Sequence, residues 1–589
     1  MPKIIKTTLE RSKDRVAVAT GERKADLVFK NAKFVNLFTD TIDEGDIAVC
    51  RSHIVGIGKY DGIDEVDCTG KVLSPSFIEG HMHLESVMIS PRSFRDIVVP
   101  HGTCAAVVDP HEITNVAGVD GINYILKMTE DLDLNVGVMI PSCVPSTPLD
   151  ESGASLGSDE IKPLYDTDER IIGLAEMMNA YGVTHKDDEC LKKCVDAINA
   201  GKLIDGHAPA LTGNILNAYL SSGISTDHEC SSFDEALEKM RKGQWIEIRE
   251  GTVCKDLDAL IKLFDAPYYN RCMLATDDSH PDTIINLGHI DKIVRQAINK
   301  GANPIYAIKM GSLNTANHYG FSHMGAIGVG YYANIIILDD LESLKINSCY
   351  INGKKVSEGS DAIVKYSDKF NTLDKNEFKR VYYSFNMDSV KPSDFAYNKK
   401  GTKLRAIEII PGGVLTKETV IDIDKNKDSY VDSSMNIAKI AVVERHKATG
   451  HIGIGFIKGY GIRQGAIASS IGHDSHNIIV VGVNDDDMAL AVNTVKNNNG
   501  GIAIACNNVV SGELKLEVAG LMTESNENYV IGNLEKLKDI AYYELGVLRD
   551  IDPFMTLAFM QLPVIPELKI IPKGLVKVST QEIIPAVFE

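Results

Sequence analysis

Between about residues 73 and 324 the chain repeats one unit eight times. A short apolar run ends in residues that carry functional groups, and an amphipathic stretch follows. The runs are VLSPSFIEGHMH, TCAAVVDPHE, NVGVMIPSCVP, RIIGLAEMMN, KLIDGHAP, ISTDHE, QWIEIREG and RCMLATDD. Between them lie helical patterns such as SFRDIVVPHG, GINYILKMTEDL, ECLKKCVDAINAG, NILNAYLSSG, SFDEALEKMRKG and LDALIKLF. Strand patterns alternating with helix patterns mark parallel βα units. Eight such units over about 250 residues predict a (β/α)8 barrel, whose C-terminal strand ends build the active site. Nearly every run ends in His, Asp, Glu, Asn or Ser, which ordinary loop polarity does not explain.

The flanks have a different texture. ADLVFKNAKFVNL, DIAVCRSHIVGIGK and EVDCTGKVL alternate with period two, and ANIIILDDLESLKINSCYINGKKV repeats that texture after the barrel region. They predict one small β-sandwich-like domain assembled from residues 1–72 and 325–385. Residues 386–589 read as a C-terminal α+β domain, with strands in GVLTKETVIDI, MNIAKIAVVER and NIIVVGV and helices in DDDMALAVNTVKNN and NLEKLKDIAYYELGVL. The Lys-rich stretch 364–404 reads as a linker and polar excursion. Asp485–Asp487 read as a solvated helix N-terminus, where carboxylates favour the dipole. At roughly 150 residues per domain, 589 residues suggest three or four domains. The patterns favour three, with an α/β fold class overall and the barrel over 73–324.

Composition narrows the partners. With 61 Lys and Arg against 81 Asp and Glu, the formal charge is −20, which argues against a phosphate-backbone binder but not against a single nucleobase. One Trp and modest Phe and Tyr give no aromatic nucleic-acid platform. The 11 Cys residues form no CxxC pair, and Cys190 and Cys194 sit four apart in a helical stretch, so most read as reduced core thiols of a cytosolic protein. The charged N-terminal stretch has no apolar h-region, and no run approaches the ~18 apolar residues of a membrane span. The expectation is a cytoplasmic protein acting on a small molecule, without nucleic acid or membrane.

The first run closes on His81-Met82-His83. Residues i and i+2 of a strand share a side, so two imidazoles point the same way. HxH alone is a weak signal, and a lone His is more often a hydrogen-bonded core residue. Here Glu176 ends the fourth run, His207 the fifth, His228 the sixth and Asp277 the eighth. Six N and O donors converging on one mouth suit borderline divalent metals such as Zn, Fe or Mn. Asp278 follows Asp277, and strand alternation puts the two on opposite sides, favouring Asp277. Asp109, His111 and Glu112 of DPHE, together with Glu229, are the remaining polar mouth residues; they either bind substrate or orient the ligand histidines. His473, Asp474 and His476, with His446 and His451 near them in sequence, form a second cluster. It reads as an extra metal site, a wall over the mouth, or a hydrogen-bonded turn.

The strand-end set resembles the amidohydrolase superfamily, and the finer motifs resemble the adenine deaminases within it. The resembling stretches are SFIEGHMHLESVMISP, HGTCAAVVDPHEITNVAG, GLAEMMN, DGHAPALTGNILNAYLSSGISTDHE, TDDSHPDTIINLGHID and GAIGVGYYANIIILDDLE. VVERHKATGHIGIGFIKGYGIRQGAIASSIGHDSHNIIVVGVNDDDMALAV adds a C-terminal part that most amidohydrolases lack.

The resemblance implies a metal-dependent hydrolase that deaminates adenine to hypoxanthine and ammonia in purine salvage, breaking a C–N bond of a cyclic amidine. It implies two divalent ions per chain, Mn or Fe favoured and Zn an alternative. His81, His83 and Asp277 would hold one ion and His207 and His228 the other. Glu176 would bridge them where many relatives use a carboxylated lysine. A hydroxide between the ions would attack C6, with Asp277 shuttling its proton to the leaving amine. Asp109, His111, Glu112 and Glu229 would surround the purine. The family suggests a homodimer or larger homo-oligomer. Another amidohydrolase substrate, a cyclic amide or N-acetyl sugar, is the alternative, because a fold does not fix a substrate. A catalytically dead scaffold is a further reading, but such a chain would be expected to have lost ligands, and this one keeps all six.

Overall fold

The computed structural model describes residues 7–252, 254–367, 373–411, 413–424 and 429–589. Each of the eight apolar runs contains one strand of a parallel barrel: β1 (Phe77–Met82), β2 (Thr103–Val108), β3 (Asn135–Ile140), β4 (Ile171–Met177), β5 (Leu203–Gly206), β6 (Thr226–Asp227), β7 (Trp245–Arg249) and β8 (Cys272–Ala275). Strands β1 to β5 pair in order, as do β6 to β8. The Gly206 amide donates to Thr226 Oγ1 and links β5 to β6. The Asp277 amide donates to the His81 carbonyl and closes the end of β8 onto β1. Parallel strands covered on both faces are continuously apolar; TCAAVV in β2 is buried at every position.

The outer helices follow the amphipathic pattern. In Asp188–Asn199 the Asp187 side chain caps the first turn, and Cys190, Lys193, Cys194 and Ala197 form the buried stripe. The two cysteines four apart therefore face the core, and all 11 cysteines are free.

The two flanks form one nine-stranded sheet. Its seam is the antiparallel pairing of Val72–Pro75 with Ile335–Leu338. The chain thus enters the barrel directly from this sheet, and the segment after the barrel returns beside the point of entry.

In the C-terminal region, strands between Lys403 and Lys515 form a second nine-stranded sheet, with Val587–Phe588 added at Lys403–Ile409. Alternation sorts its two faces. Ala441, Val443, Ile478 and Val480 pack with Met488, Ala491 and Val495 of helix Asp485–Asn497. Ile440, Val442, Ile479 and Val481 join the same core as Ile113, Ile122 and Ile140 of the barrel. Barrel and C-terminal sheet therefore share one apolar interior. Of the three acids at the start of helix Asp485–Asn497, Asp487 is not solvated: it is 2% exposed and accepts from the amides of Asn507 and Asn508.

The linker reading of 364–404 also needs correction. Phe378, Val381, Tyr382 and Phe395 are buried, and the rings of Phe378 and Tyr382 meet Tyr124 edge to face. Four apolar anchors hold this stretch down despite its lysines; its residues 368–372 lie outside the described residues. No helix among the described residues is long and apolar enough to cross a membrane.

Candidate metal centre

The ends of β1 and β8 are stitched by two backbone bonds, Asp277 N to His81 O at 3.0 Å and His83 N to Asp277 O at 3.3 Å. This register seats Asp277 Oδ1 3.6 Å from His81 Nε2 and 3.0 Å from His83 Nε2. His83 Nδ1 donates to the Asp109 carbonyl at 3.0 Å, which turns Nε2 toward the centre. Asp277 lies just beyond β8 with φ of 57°, so strand alternation no longer applies there. As a result Asp278 also reaches the mouth. Its Oδ1 accepts from Ser86 Oγ and its Oδ2 lies 3.9 Å from His473 Nε2. The two aspartates are not divided between opposite sides.

Glu176, near the end of β4, stands between two groups of imidazoles. Its Oε1 is 3.6 Å from His83 Nε2 and 3.4 Å from His111 Nδ1. Its Oε2 is 2.7 Å from His207 Nδ1 and 3.3 Å from His228 Nε2. Tyr219 fixes this spacing: its hydroxyl donates to the Met177 carbonyl at 2.7 Å and accepts from the His207 amide at 2.9 Å, tying β4 to β5. Gly206 precedes His207 because a Cβ there would stand 2.2 Å from the Thr226 carbonyl oxygen.

The six residues form two donor groups, His81/His83/Asp277 and Glu176/His207/His228, each with ligand atoms within 4.8 Å of one another. All six are buried. The His81 and His228 rings stack at 4.2 Å, and His81 Nε2 has no hydrogen-bond partner. Burial would raise the carboxyls of Glu176 and Asp277, but neighbouring imidazoles, with Arg249 at Asp277, hold both well below the ordinary carboxylate range. Ionised oxygens and inward-turned ring nitrogens compressed into a buried space are a donor set that fits divalent cations. Beneath them, Glu247 Oε2 lies 4.0 Å from His228 Nδ1, and the Tyr319 hydroxyl contacts Glu247 Oε1 and Asp205 Oδ2 at 2.7 and 2.9 Å. Burial pushes Glu247 well up and Asp205 up to about 7.

The remaining mouth residues divide. His111 spans Asp109 Oδ2 at 3.1 Å and Glu112 Oε1 at 3.2 Å. Burial alone would lower its pKa, but those two carboxylates raise it well above the usual range. Glu112 has both oxygens engaged, Oε1 by His473 Nδ1 at 2.5 Å and Oε2 by His476 Nε2. Glu229 is bound through both oxygens by Arg249, whose NH1 also donates to Asp277 Oδ2 at 3.0 Å. Sequence reasoning missed Arg249, although it is the last residue of β7 and obeys the strand-end pattern. It also missed Glu247 and Asp205, which sit inside apolar runs.

The C-terminal domain roofs this mouth. His473, Asp474, Phe559, Leu562, Ile565 and Val414 line the same cavity as the barrel residues. Of the three readings of the His473 cluster, a wall over the mouth matches the packing. His446 supports it by donating from Nε2 to the Ser475 carbonyl, whereas His451 pairs with Glu151 at the surface.

Comparison with known proteins agrees with this architecture. Residues 72–372 match the amidohydrolase family, and residues 413–582 match the adenine deaminase C-terminal domain. The chain is 41% identical over 562 residues to an adenine deaminase of Clostridium acetobutylicum, covering 95% of this chain and 97% of the relative. It is 43% identical over 571 residues to an adenine deaminase of Petrotoga mobilis, covering 96% and 98%. It is 39% identical over 574 residues to an adenine deaminase of Geobacillus kaustophilus, covering 97% and 98%.

Proposed function

The chain belongs to the adenine deaminase family of the amidohydrolases, and from that premise we propose how its mouth residues divide the work. The enzyme hydrolyses the exocyclic C–N bond of adenine, leaving hypoxanthine and ammonia. A cyclic amide or N-acetyl sugar as substrate draws no support from these relatives.

The amidohydrolase family is metal-dependent, and the donor set fits. In our reading His81, His83 and Asp277 would hold one divalent ion and His207 and His228 a second, with Glu176 lying between the two sets. Mn or Fe is favoured, with Zn an alternative on ligand chemistry. Such ions, when bound, would lower the pKa of a water toward neutrality and so supply the nucleophile. The observation that carries this reading is Glu176, whose two oxygens each face a different pair of histidines.

The protein groups do the rest. Arg249 holds Asp277 at Oδ2 and, after His81 and His83, helps keep it ionised, ready to take the proton of the attacking water and return it to the leaving amine nitrogen. Arg249 binds Glu229 at the same time, so the two carboxylates keep a fixed spacing. Asp109 orients His111, which presents a charged ring to the base. Glu229 faces the base from the β6 side, and Glu112 acts chiefly by fixing His111 and the roof. The apolar side chains of Phe559, Leu562, Ile565 and Val414 keep bulk water from the reacting carbon. The family resemblance favours a homodimer, which light scattering checks.

The test is direct. Metal-loaded protein incubated with adenine should release ammonia in step with loss of adenine, and elemental analysis should return about two metals per chain, the number this reading of the ligand set requires. No ammonia from fully loaded protein would defeat the reading.

A further inference from the structure

The roof holds one buried carboxylate with an oxygen that no hydrogen bond engages. Asp474 is 2% exposed, and its Oδ2 has no hydrogen-bond partner. Its Oδ1 lies 3.7 Å from His111 Nε2, while His111 Nδ1 lies 3.4 Å from Glu176 Oε1. Asp474 therefore stands across one imidazole ring from the bridging carboxylate, in the wall of the same cavity. Glu112, beside it, is saturated by His473 and His476.

We propose that Asp474 accepts the ring N–H of the five-membered half of the purine, and that this contact selects free bases over nucleosides and other N-alkylated purines. The proposal rests on the deaminase reading above. Adenine offers two kinds of donor, the exocyclic amine and one ring N–H; N1, N3 and the remaining ring nitrogen are acceptors that repel a carboxylate. With the amine-bearing carbon over Glu176 and Asp277, the amine is committed to the reaction. A carboxylate on the far side of His111 from Glu176 is placed to pair with the N–H of the other ring.

The neighbours fit a flat aromatic guest. Phe559 stacks on His473 at 4.5 Å and 17°, and Val414 and Leu562 extend that apolar wall. The loop cannot readily swing Asp474 aside. The His473 amide donates to the Ala558 carbonyl at 3.1 Å, Asn477 Nδ2 donates to the Glu151 carbonyl at 2.7 Å, and Gln561 Nε2 donates to the Asn477 carbonyl at 3.0 Å. A sugar or alkyl group on the ring nitrogen would remove the donor and meet this fixed carboxylate.

A third cation held by His111, Glu112 and Asp474 is the competing use, since their ligand atoms lie within 4.8 Å of one another. The engagement of both Glu112 oxygens by histidines favours the base-reading role.

The experiment uses the metal-loaded full chain with Asp474→Asn and Asp474→Ala. The KM for adenine should rise about 10- to 100-fold in Asp474→Ala, the worth of one hydrogen bond to a charged group, and less in Asp474→Asn. The kcat should stay near wild type, because a contact made equally in ground and transition state is lost. Metal content should not change. 9-Methyladenine, which lacks a ring N–H, should bind wild type more weakly than adenine by a similar factor and lose that handicap in Asp474→Ala.

An unchanged KM, a preserved preference for adenine over 9-methyladenine, or loss of one metal per chain in the variants would each overturn the proposal. If wild type released no ammonia from adenine, the parent reading would fail, yet calorimetric binding of the two bases to wild type and Asp474→Ala would still decide the role of Asp474.

Discussion

The floor of the cavity rests on eight strand ends, and its candidate ligands are spaced by backbone bonds between neighbouring strands, as in Asp277 N to His81 O. The roof centres on the loop of residues 470–477, carried by another domain and joined to the floor through Glu112, His473 and His476. The floor brings donors together by local geometry repeated eight times. The roof depends on one long-range packing solution. Disturbing the floor should therefore appear in chemistry, and disturbing the roof in affinity and stability.

The largest effect belongs to the floor. Asp277→Asn keeps the shape but cannot take a proton, and kcat should fall by about 10²- to 10⁴-fold, the usual worth of a positioned acid–base group. Steady-state kinetics with metal analysis on the same sample separates loss of the proton carrier from loss of a ligand. A fall of less than about tenfold would move the proton transfer elsewhere.

The contrast between floor and roof also sets what sequence could reveal. The convergence of His81, His83, Glu176, His207, His228 and Asp277 was legible because each sits where an apolar run stops, and the barrel turns that position into a direction. Asp278 was misjudged because the left-handed backbone at Asp277 ends the alternation one residue early. Glu247 and Asp205 were hidden because an inward carboxylate inside a short strand looks like ordinary alternation; only the third dimension shows Tyr319 between them. Glu112 and His473 are 361 residues apart in sequence. No local period reports such a contact, so the cluster could be noticed without its place being known. The flanking sheet was legible from both ends, but the anchors Phe378 and Tyr382 were obscured by surrounding lysines.

The joint between floor and roof gives the next effect. Glu112→Gln leaves His473 and His476 buried without their anion and should cost roughly 3–5 kcal/mol of stability, as removal of one partner of a buried pair does. Chemical denaturation measures it. If Glu112 instead served only the purine, stability would hardly move and KM alone would change.

A pH series sharpens the same joint. Burial would lower the His473 pKa, but the Glu112 charge raises it from 6.5 to about 9. The folded state then holds a proton that the unfolded state lacks. This stabilising contribution is complete below 6.5 and is lost as pH rises through 9. Lys569 acts in the opposite sense. Its buried amine donates to the carbonyls of Val414 and Phe559, two roof residues, and burial pushes its pKa from 10.5 to about 7. Between 7 and 10.5 the unfolded state holds the extra proton, so stability rises with pH. The two slopes oppose each other between pH 7 and 9. Glu112→Gln should unmask a rise and Lys569→Met a fall, each approaching about 1.4 kcal/mol per pH unit for one proton. Parallel wild-type and variant curves would show that neither group titrates as placed.

The smallest effect tests whether the roof is a rigid plate or a hinged one. Helix Asp485–Asn497 covers the face of the C-terminal sheet away from the barrel, and the Asn484 side chain accepts from the Asp487 amide at 2.8 Å as its N-cap. Asn484→Ala should cost about 1 kcal/mol, the usual worth of a cap. If sheet and loop 470–477 move as one body, the loss is confined to stability, and KM for adenine and metal content stay at wild-type values. A raised KM at unchanged metal content would mean that loosening the far face displaces the loop. The roof would then be a mobile cover whose position the helix helps to set, and the affinity contributed by Asp474 would depend on packing outside the cavity as well as within it.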